Sequence, residues 1–366
     1  MHVYVHIPFC ARRCSYCDFA IAVRREIPNQ QLVDTISAEW RGRTTEWGAV
    51  AAINTLYFGG GTPSRVAPGS IAAILAVITA ELPLVSGAEV TLETNPDDVT
   101  DERAHAWAAA GVNRISLGVQ SHEPAVLEWM HRTHRAEQVR GAMRMLRTAG
   151  FRNISIDMIF ALPAMLQRDW RVDLSRTLEL GPQHLSLYGL TVEPHTPLFR
   201  WTQQGGVVPP PDERYADEYV AAHDLAAGAG FEHYEVSNAA RAGFQSRHNS
   251  AYWSGADYIG LGPSAHSFQR GQRRWNVREW ADYRARSTTG ASVVGGTECP
   301  GVEARRLERQ YLGLRTTLGV ALDDLPSDVP DRWCEAGWAT VSDGVLRLTV
   351  EGWLRLDALV AAARHS

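Results

Sequence analysis

The 366-residue sequence has no lysine, few cysteines, no surplus of positive charge and no long apolar run. All 36 positively charged side chains are arginines, a bias that we attribute to coding rather than to function. The net charge of −5 at pH 7 argues against a broad basic surface, so we expect no nucleic-acid partner. The longest apolar stretch, 71–80, is too short to span a bilayer.

Only five cysteines are present, and Cys299 and Cys334 lie far from the other three. This pattern is not typical of a disulfide framework, and it fits a reducing cytoplasm. The amino terminus leads at once into a predicted strand, which leaves no room for a signal peptide. We therefore expect a cytoplasmic protein.

The other three cysteines, Cys10, Cys14 and Cys17, form the pattern C-x3-C-x2-C. A structural zinc site and an ordinary cubane iron–sulfur cluster both take four protein ligands, and no fourth cysteine stands nearby. Three thiolates on a four-iron cluster leave one iron open to a substrate or cofactor. The pattern therefore favours a [4Fe–4S] cluster with an open iron. The alternatives are a zinc site completed by a distant histidine, or three unrelated thiols.

The first 200 residues alternate short apolar runs with longer amphipathic runs, which predicts βα units around a parallel sheet. The predicted strands are 2–8, 55–59, 89–94, 114–120, 154–160 and 184–191. The predicted helices between them are 30–43, 70–81, 101–110, 136–149 and 170–180. Six units are fewer than the eight of a closed barrel, so we expect an α/β fold with a partial (β/α)6 barrel.

Polar and metal-binding residues cluster toward the carboxyl ends of the predicted strands: most stand at or just after the end of a strand, and Asp157 lies within the fifth strand. The loops after parallel strands converge at this rim of a barrel, where sites assemble. The residues concerned are Cys10, 59–62, Glu93, Asn95, Gln120, Asp157 and 188–191.

A Gly/Pro segment, 203–213, and a second segment, 286–301, are typical of linkers. After the second linker, helices, a hairpin at 340–348 and a last helix follow in the order of a winged-helix module. No basic recognition stripe accompanies this order. We therefore expect a barrel at 1–202, an aromatic-rich extension at 203–285 and a helix-rich module at 286–366.

Ten motifs occur in order along nearly the whole chain: YVHIPFC, YCDF, YFGGGTPS, ETNPDDV, RISLGVQS, DMIFALP, HLSLYGLT, HYEVSN, HNSAYW and GLGPSAHS. With them the chain resembles the radical S-adenosylmethionine (SAM) superfamily. More closely, it resembles the oxygen-independent coproporphyrinogen III oxidase-like group, and within that group the heme chaperone branch. The resemblance implies a [4Fe–4S] cluster on the three clustered cysteines, with SAM bound to the open iron.

The resemblance also implies a set of SAM-binding residues. A glycine-rich turn suits the amino-acid end of SAM because backbone without a Cβ allows close approach. Carboxylates suit ammonium or ribose hydroxyls, and an arginine suits a carboxylate. Taken singly, each residue is equally typical of a tight turn or of a satisfied polar group at a barrel mouth. The set is Tyr4, Tyr16, Gly60, Gly61, Thr62, Glu93, Gln120, Arg132 and Asp157.

Two features distinguish the chaperone branch from the oxidase branch. The oxidase branch carries a further cysteine two residues after the third, where this chain has Phe19, which neither ligates iron nor relays a proton. The motif HNSAYW matches the heme-binding motif of the chaperone branch. It implies that heme is bound by His248, Asn249, Tyr252 and Trp253.

This motif is chemically reasonable for heme. Neutral imidazole is an axial ligand of heme iron, and aromatic rings supply flat apolar area for a porphyrin. Arginines 247, 270, 273 and 274 are candidates for pairing with the propionates. The alternative is a core histidine with two packed aromatic residues in a structural loop. For His266, in the motif GLGPSAHS, the sequence assigns no role.

We therefore predict a heme chaperone that binds heme and passes it to an acceptor apoprotein. Whether SAM is cleaved, and hence whether the chain is an enzyme, stays open. The alternatives are an oxygen-independent coproporphyrinogen III oxidase and a radical SAM methyltransferase. The sequence also leaves open the identity of the acceptor, the attachment of the heme, a homodimer and peripheral contact with a membrane.

Overall fold

The computed structural model describes residues 1–43 and 52–363. The strands in these ranges are β1 His2–Ile7, β2 Phe9–Cys10, β3 Ala22–Val23, β4 Ile53–Gly60, β5 Leu84–Thr94, β6 Arg114–Gln120, β7 Asn153–Phe160, β8 His184–Gly189, β9 Glu232–Glu235, β10 Asn238–Ala240, β11 Tyr258–Leu261, β12 His266–Gln269, β13 Gln272–Asn276, β14 Val294–Glu298, β15 Val320–Ala321, β16 Ala339–Ser342 and β17 Val345–Leu348.

The α-helices in the same ranges are α1 Asn29–Gly42, α2 Pro68–Glu81, α3 Asp101–Ala109, α4 Pro124–Trp129, α5 Ala136–Thr148, α6 Trp170–Glu179, α7 Pro197–Gln203, α8 Asp212–Gly228, α9 Arg247–Trp253, α10 Trp280–Thr289, α11 Val302–Leu314, α12 Val329–Glu335, α13 Val350–Trp353 and α14 Leu356–Ala363. All six predicted strands and all five predicted helices are confirmed. The largest shift is in β5, which begins at Leu84 instead of residue 89. Within the described ranges, none of the helices has the length and apolar composition needed to cross a bilayer.

A 12-stranded sheet forms the centre of the molecule, in the order β14-β13-β12-β11-β1-β4-β5-β6-β7-β8-β10-β9. The strands β1, β4, β5, β6, β7 and β8 are parallel neighbours in chain order. Strand β11 also pairs in parallel with β1. The pairs β11–β12, β12–β13, β13–β14 and β9–β10 are antiparallel. Strands β14 and β9 are the two edges, so the barrel is open.

Side chains alternate along the parallel strands, because successive residues of a strand point to opposite faces. One set is apolar and fully buried, with Val3 and Val5 on β1 and Leu56 and Phe58 on β4. This set belongs to the same core cluster as residues of α1, α2 and α3. The other set is polar and lines a cavity, and it includes Tyr57, Glu93, Ser116, Asp157 and Ser186.

Side-chain caps explain where two of the helices around the sheet begin. The Thr100 hydroxyl accepts a hydrogen bond from the Arg103 backbone N–H at 3.2 Å and begins α3. The Asp169 carboxylate accepts one from the Val172 backbone N–H at 3.1 Å and begins α6. Such caps each stabilise a helix by about 1 kcal/mol.

The carboxyl-terminal part contains α11, α12, the three-stranded sheet β15-β17-β16 and the short helices α13 and α14. The hairpin predicted at 340–348 is confirmed as β16 and β17. The linker predicted at 286–301 is wrong at its start, where residues 286–289 end α10, and in its middle, where β14 pairs antiparallel with β13. The sequence VGGTE has no apolar alternation, so only main-chain pairing at the sheet edge defines this strand. The domain boundaries after residues 202 and 285 stay predictions.

Candidate functional site

Two neighbouring cavities contain most of the predicted site residues. The smaller, which we name the cysteine cavity, has a volume of about 350 Å³ and is lined by Cys10, Cys14 and Cys17. The larger, which we name the aromatic cavity, has a volume of about 680 Å³. Phe19 and Gly60 line both. Both volumes fall in the range of small-molecule and cofactor sites.

The three clustered cysteines lie at the end of β2 and in the turns that follow it. The Thr62 hydroxyl lies 3.3 Å from the Cys10 sulfur, and an Arg132 Nη1 lies 3.9 Å from the Cys14 sulfur. Burial raises the pKa of the Cys10 thiol and raises that of Cys17 to about 12. Metal binding therefore displaces protons from these thiols, because only thiolates ligate.

The three cysteines are a donor set that suits an iron–sulfur cluster. The thiolates of a cubane bind different irons, so they do not need to converge on one point. Three sulfurs on the wall of one cavity satisfy this looser requirement.

The glycine-rich turn after β4 is shaped for close approach. Gly60 has φ +109°, which favours glycine, and a Cβ there would lie 2.6 Å from the His6 ring. A Cβ on Gly61 would lie 3.0 Å from the Cys10 sulfur. The Gly60 backbone N–H donates to Glu93 Oε2 at 3.0 Å. The turn therefore fits the role that the resemblance implies for it.

Glu93 and Asp157 are the carboxylates of the cysteine cavity. The Tyr57 hydroxyl donates to Glu93 Oε1 at 2.8 Å, and the Ser116 hydroxyl donates to Asp157 at 3.0 Å. Burial raises the pKa of Glu93 to about 7, and the nearby Asp157 adds to this effect. Burial also raises the pKa of Asp157. Glu93 consequently changes its charge near neutral pH.

Arg132 and Gln120 face the same cavity. Arg132 Nη2 donates to Asn95 Oδ1 at 2.6 Å and to the Gly118 carbonyl at 2.7 Å. Its Nε is buried and has no hydrogen-bond partner within the described part of the chain. A buried donor without a partner is costly, so this atom fits a ligand acceptor. Gln120 ends β6 with φ +66°, an uncommon value for a non-glycine residue.

Eight of the nine predicted SAM-binding residues line the cysteine cavity together with the three cysteines. The ninth, Tyr4, lines the aromatic cavity, and its hydroxyl lies 3.1 Å from His6 Nδ1. The roles of all nine in SAM binding stay predictions.

Sequence reasoning missed several polar residues of this cavity, including Tyr57, Arg114 and Ser116. Arg114 is only 1% exposed, and its positive charge lowers the pKa of both Glu93 and Asp157 against the effect of burial. The signal that identifies Tyr57 and Ser116 is the two-residue period, because each is polar and lies between apolar neighbours on a strand. Arg114 does not carry this signal, since it begins its strand directly after Asn113.

The helix α9 carries the motif HNSAYW between the two cavities. Glu89 accepts hydrogen bonds from the backbone N–H groups of its first two residues, at 3.1 and 3.0 Å. Asn249 lines the cysteine cavity, whereas Tyr252 and Trp253 line the aromatic cavity. The motif therefore contributes to both walls.

His248 is 1% exposed and is not among the residues that line either cavity. Its Nδ1 lies 2.6 Å from the Thr55 hydroxyl, and its Nε2 lies 2.9 Å from the Tyr252 hydroxyl. The ring stacks on Tyr57 at 5.0 Å, and burial lowers the pKa of His248 to about 3. Both ring nitrogens are engaged in this conformation. A bond from His248 to heme iron stays a prediction.

Of the four arginines predicted to pair with propionates, only Arg273 lines the aromatic cavity. Arg247 instead donates through Nη1 to the Gly87 carbonyl at 2.7 Å.

The radical SAM superfamily matches residues 4–174. The structure of the coproporphyrinogen III oxidase HemN of Escherichia coli, a radical SAM enzyme, is similar with a TM-score of 0.82 and 19% identity. The match covers 98% of this chain and 88% of that chain. The fold and the family match define a radical SAM protein, and the predicted α/β partial barrel is confirmed.

The heme chaperone HemW of Lactococcus lactis is 35% identical over 320 residues, which cover 87% of this chain and 83% of that protein. HemW of Bacillus subtilis is 32% identical over 363 residues, 96% of each chain. HemW of Mycobacterium tuberculosis is 33% identical over 370 residues, 98% of this chain and 93% of that protein. The chain belongs to the HemW family of the radical SAM superfamily. Membership in the superfamily implies a [4Fe–4S] cluster and SAM.

Proposed function

We propose that this chain is a heme chaperone, which binds heme and passes it to an acceptor apoprotein in the cytoplasm. The observation that carries the proposal is the aromatic cavity, which adjoins the cysteine cavity and is lined by Tyr252 and Trp253 of the motif HNSAYW. Its mixture of aromatic and polar lining is typical of a cofactor-sized site. The name of the HemW relatives supports the same function.

In this proposal Cys10, Cys14 and Cys17 hold the [4Fe–4S] cluster. When bound, the cluster supplies the electron that SAM cleavage requires, and the protein contributes binding and orientation. The backbone of Gly60 and Gly61 admits the amino-acid end of SAM, since a Cβ at either position would meet atoms of the cavity wall.

The polar side chains of the cysteine cavity complete the SAM site. The free Nε of Arg132 would donate to the SAM carboxylate, and the Glu93 carboxylate would accept from the SAM ammonium group. Gln120 and Asp157 line the same cavity and would be hydrogen-bond partners for the ribose hydroxyls. Thr62, Tyr16 and Tyr4 complete the proposed SAM-binding set.

Phe19 favours the chaperone over the oxidase. It stands where the oxidase branch has a further cysteine, and it is 54% exposed at the junction of the two cavities. A phenyl ring at this place offers apolar contact and no proton. A porphyrin in the aromatic cavity would therefore meet a surface suited to binding, without a proton donor at this position.

An anaerobic experiment on one preparation tests the choice between the two functions. Protein with a reconstituted cluster is titrated with heme, followed by absorbance, and is separately incubated with SAM, a reductant and coproporphyrinogen III. We expect about one heme bound for each chain and no protoporphyrinogen. Turnover without heme binding would replace the chaperone with the oxidase.

Two matched tryptophan variants locate the heme. Trp253 lies in the aromatic cavity under the guanidinium of Arg315, at 4.5 Å from the ring centroid. Trp338 is also half-buried under an arginine, Arg355 at 5.6 Å, and lies in the carboxyl-terminal part. We expect Trp253→Ala to weaken heme binding by about tenfold or more and Trp338→Ala to leave it unchanged. Equal affinities in the two variants would place the heme elsewhere.

A further inference from the structure

The wall of the aromatic cavity includes a histidine, His266, that lies outside the motif HNSAYW. His266 begins β12, is exposed, and lines this cavity. Its ring stacks on Trp275, its partner residue on β13, with 5.8 Å between ring centroids and 27° between planes. The stacking gives the imidazole an aromatic neighbour on the paired strand.

The ring nitrogens of His266 have no hydrogen-bond partner among residues 1–43 and 52–363. The other imidazole of the cavity wall is different, because His6 Nε2 lies 2.9 Å from the Ala20 carbonyl and His6 Nδ1 lies 3.1 Å from the Tyr4 hydroxyl. His248 has both nitrogens engaged, as described above. Of these three imidazoles, His266 is the one that can take a metal without breaking a contact.

The charge of the cavity matches the charge of heme. Its lining includes four arginines and two carboxylates, so it has an excess of two positive charges for the two propionates of a heme. Arg273 is paired with Glu308 and lies 3.9 Å from Glu298. Arg305 and Arg309 lie one turn apart on α11, on the same face of that helix. Their guanidinium groups suit bidentate binding of carboxylates.

The remaining lining suits the faces of a porphyrin. Phe268 is on the same strand as His266, and Tyr258 and Trp253 lie on neighbouring elements. Tyr258 meets Tyr252 edge to face at 4.6 Å, which fixes both rings. Aromatic side chains contribute large apolar contact areas.

We propose that His266 is the axial ligand of the heme iron and that Arg305 and Arg309 bind the propionates. His248 then has a positioning role, since it holds the Tyr252 hydroxyl at the cavity wall. This inference rests on the proposed heme-binding function and assigns its ligand. The iron is bound by the imidazole that faces the cavity, and the motif histidine stays within the core.

Spectroscopy on full-length protein with a reconstituted cluster tests the axial ligand. Heme is added to wild type, His266→Ala, His248→Gln and the exposed control His105→Ala, and the Soret band and the EPR spectrum of ferric heme are recorded. We expect only His266→Ala to lose the histidine-ligated spectrum and to lose at least about tenfold in affinity. Added free imidazole should restore the spectrum of His266→Ala, which a merely structural change would not allow.

The other possible spectra of the two histidine variants each decide between the ligand assignment and its alternatives. If His248→Gln loses the histidine-ligated spectrum and His266→Ala keeps it, the ligand assignment is wrong and the chaperone function stands. If both variants lose it, rescue of His266→Ala by imidazole supports the assignment, and absence of rescue overturns it. If both keep it, His266 is not the ligand. If the wild type binds no heme, the proposed function itself fails.

A second experiment tests the propionate partners. The double variant Arg305→Gln/Arg309→Gln is compared with Arg306→Gln, which changes an exposed arginine of the same helix outside the cavity lining. Each is titrated with heme and with heme dimethyl ester, which lacks the two negative charges. We expect the double variant to bind heme about tenfold or more weakly and the ester as wild type does. An equal loss for both ligands would exclude pairing with propionates.

Discussion

Acidification from pH 8 to pH 5 should destabilise the wild type more than it destabilises the variant His248→Gln. Burial lowers the pKa of His248 from 6.5 to about 3, so the folded protein keeps this ring neutral at pH 5. The unfolded chain takes up a proton below pH 6.5. The stability that the neutral ring contributes is therefore complete above pH 6.5 and is lost as the pH falls toward 3.

The magnitude follows from the difference between pH 5 and 6.5, the pKa of a histidine in the unfolded chain. At 1.36 kcal/mol for each unit, His248 alone accounts for a loss of about 2 kcal/mol in the free energy of unfolding between pH 8 and pH 5. Other buried histidines with lowered pKa values, among them His6 and His233, add to the acid loss of both proteins. Their contributions cancel when the variant is compared with the wild type.

The assay is urea unfolding of cluster-free protein at pH 8 and pH 5, followed by circular dichroism. The quantity compared is the change in unfolding free energy between the two pH values, which should be about 2 kcal/mol smaller for His248→Gln than for wild type. The variant also loses contacts with Thr55 and Tyr252, but this loss is present at both pH values. His105→Gln, on the exposed side of α3, should behave as wild type does. An acid loss in His248→Gln equal to that of wild type would refute the burial of this ring.

Three further outcomes are expected. Gly60→Ala should lower the free energy of unfolding by about 1–3 kcal/mol, because it places a side chain at positive φ against a histidine ring. Gly69→Ala should not destabilise the protein, because the space around that residue is open. Urea unfolding measures both variants. The affinity of cluster-loaded wild type for SAM should rise as the pH increases through about 7, because Glu93 ionises there and its carboxylate is proposed to bind the SAM ammonium group. Glu93→Gln should show a flatter dependence on pH. Calorimetry at pH 6 and pH 8 compares the affinities of the wild type and the variant. Arg168→Met should cost about 3–5 kcal/mol, because it leaves the fully buried Asp173 carboxylate without its cation and removes one of the two arginines that pair with Glu218. Arg176→Met, in an exposed pair, should cost less than about 1 kcal/mol, and similar costs in the two variants would contradict this reasoning.

The elements of the barrel were predictable because local patterns specify them. The run RISLGVQ, bounded by turn residues, predicts β6 from Arg114 to Gln120 at both ends. Strand β14 was not predictable, since its sequence VGGTE contains two glycines and its pairing with β13 is set by distant main-chain contacts. Local periodicity carries no information about a partner strand that lies elsewhere in the chain.

The residues that line the cysteine cavity were largely predictable, whereas the environment of each histidine was not. The cysteine spacing and the residues at the ends of the strands lead to one cavity. The sequence does not tell which of two neighbouring cavities a strand residue faces, and Tyr4 therefore lies on a different wall from the other SAM-binding candidates. Nor does it tell how a histidine is used: His248 stands in a recognisable motif and is enclosed, whereas His266 carries no assignment and is exposed. Only the packing around each ring distinguishes them.

Phe19 and Gly60 belong to the walls of both cavities, and this shared boundary has a thermodynamic consequence. Any ligand that shifts this boundary on one side changes the binding free energy on the other, and the coupling must be reciprocal. If SAM tightens the hold on heme by some factor, heme tightens the hold on SAM by the same factor. Consumption of one ligand would then loosen the other, with a single aromatic ring and a turn as the physical link.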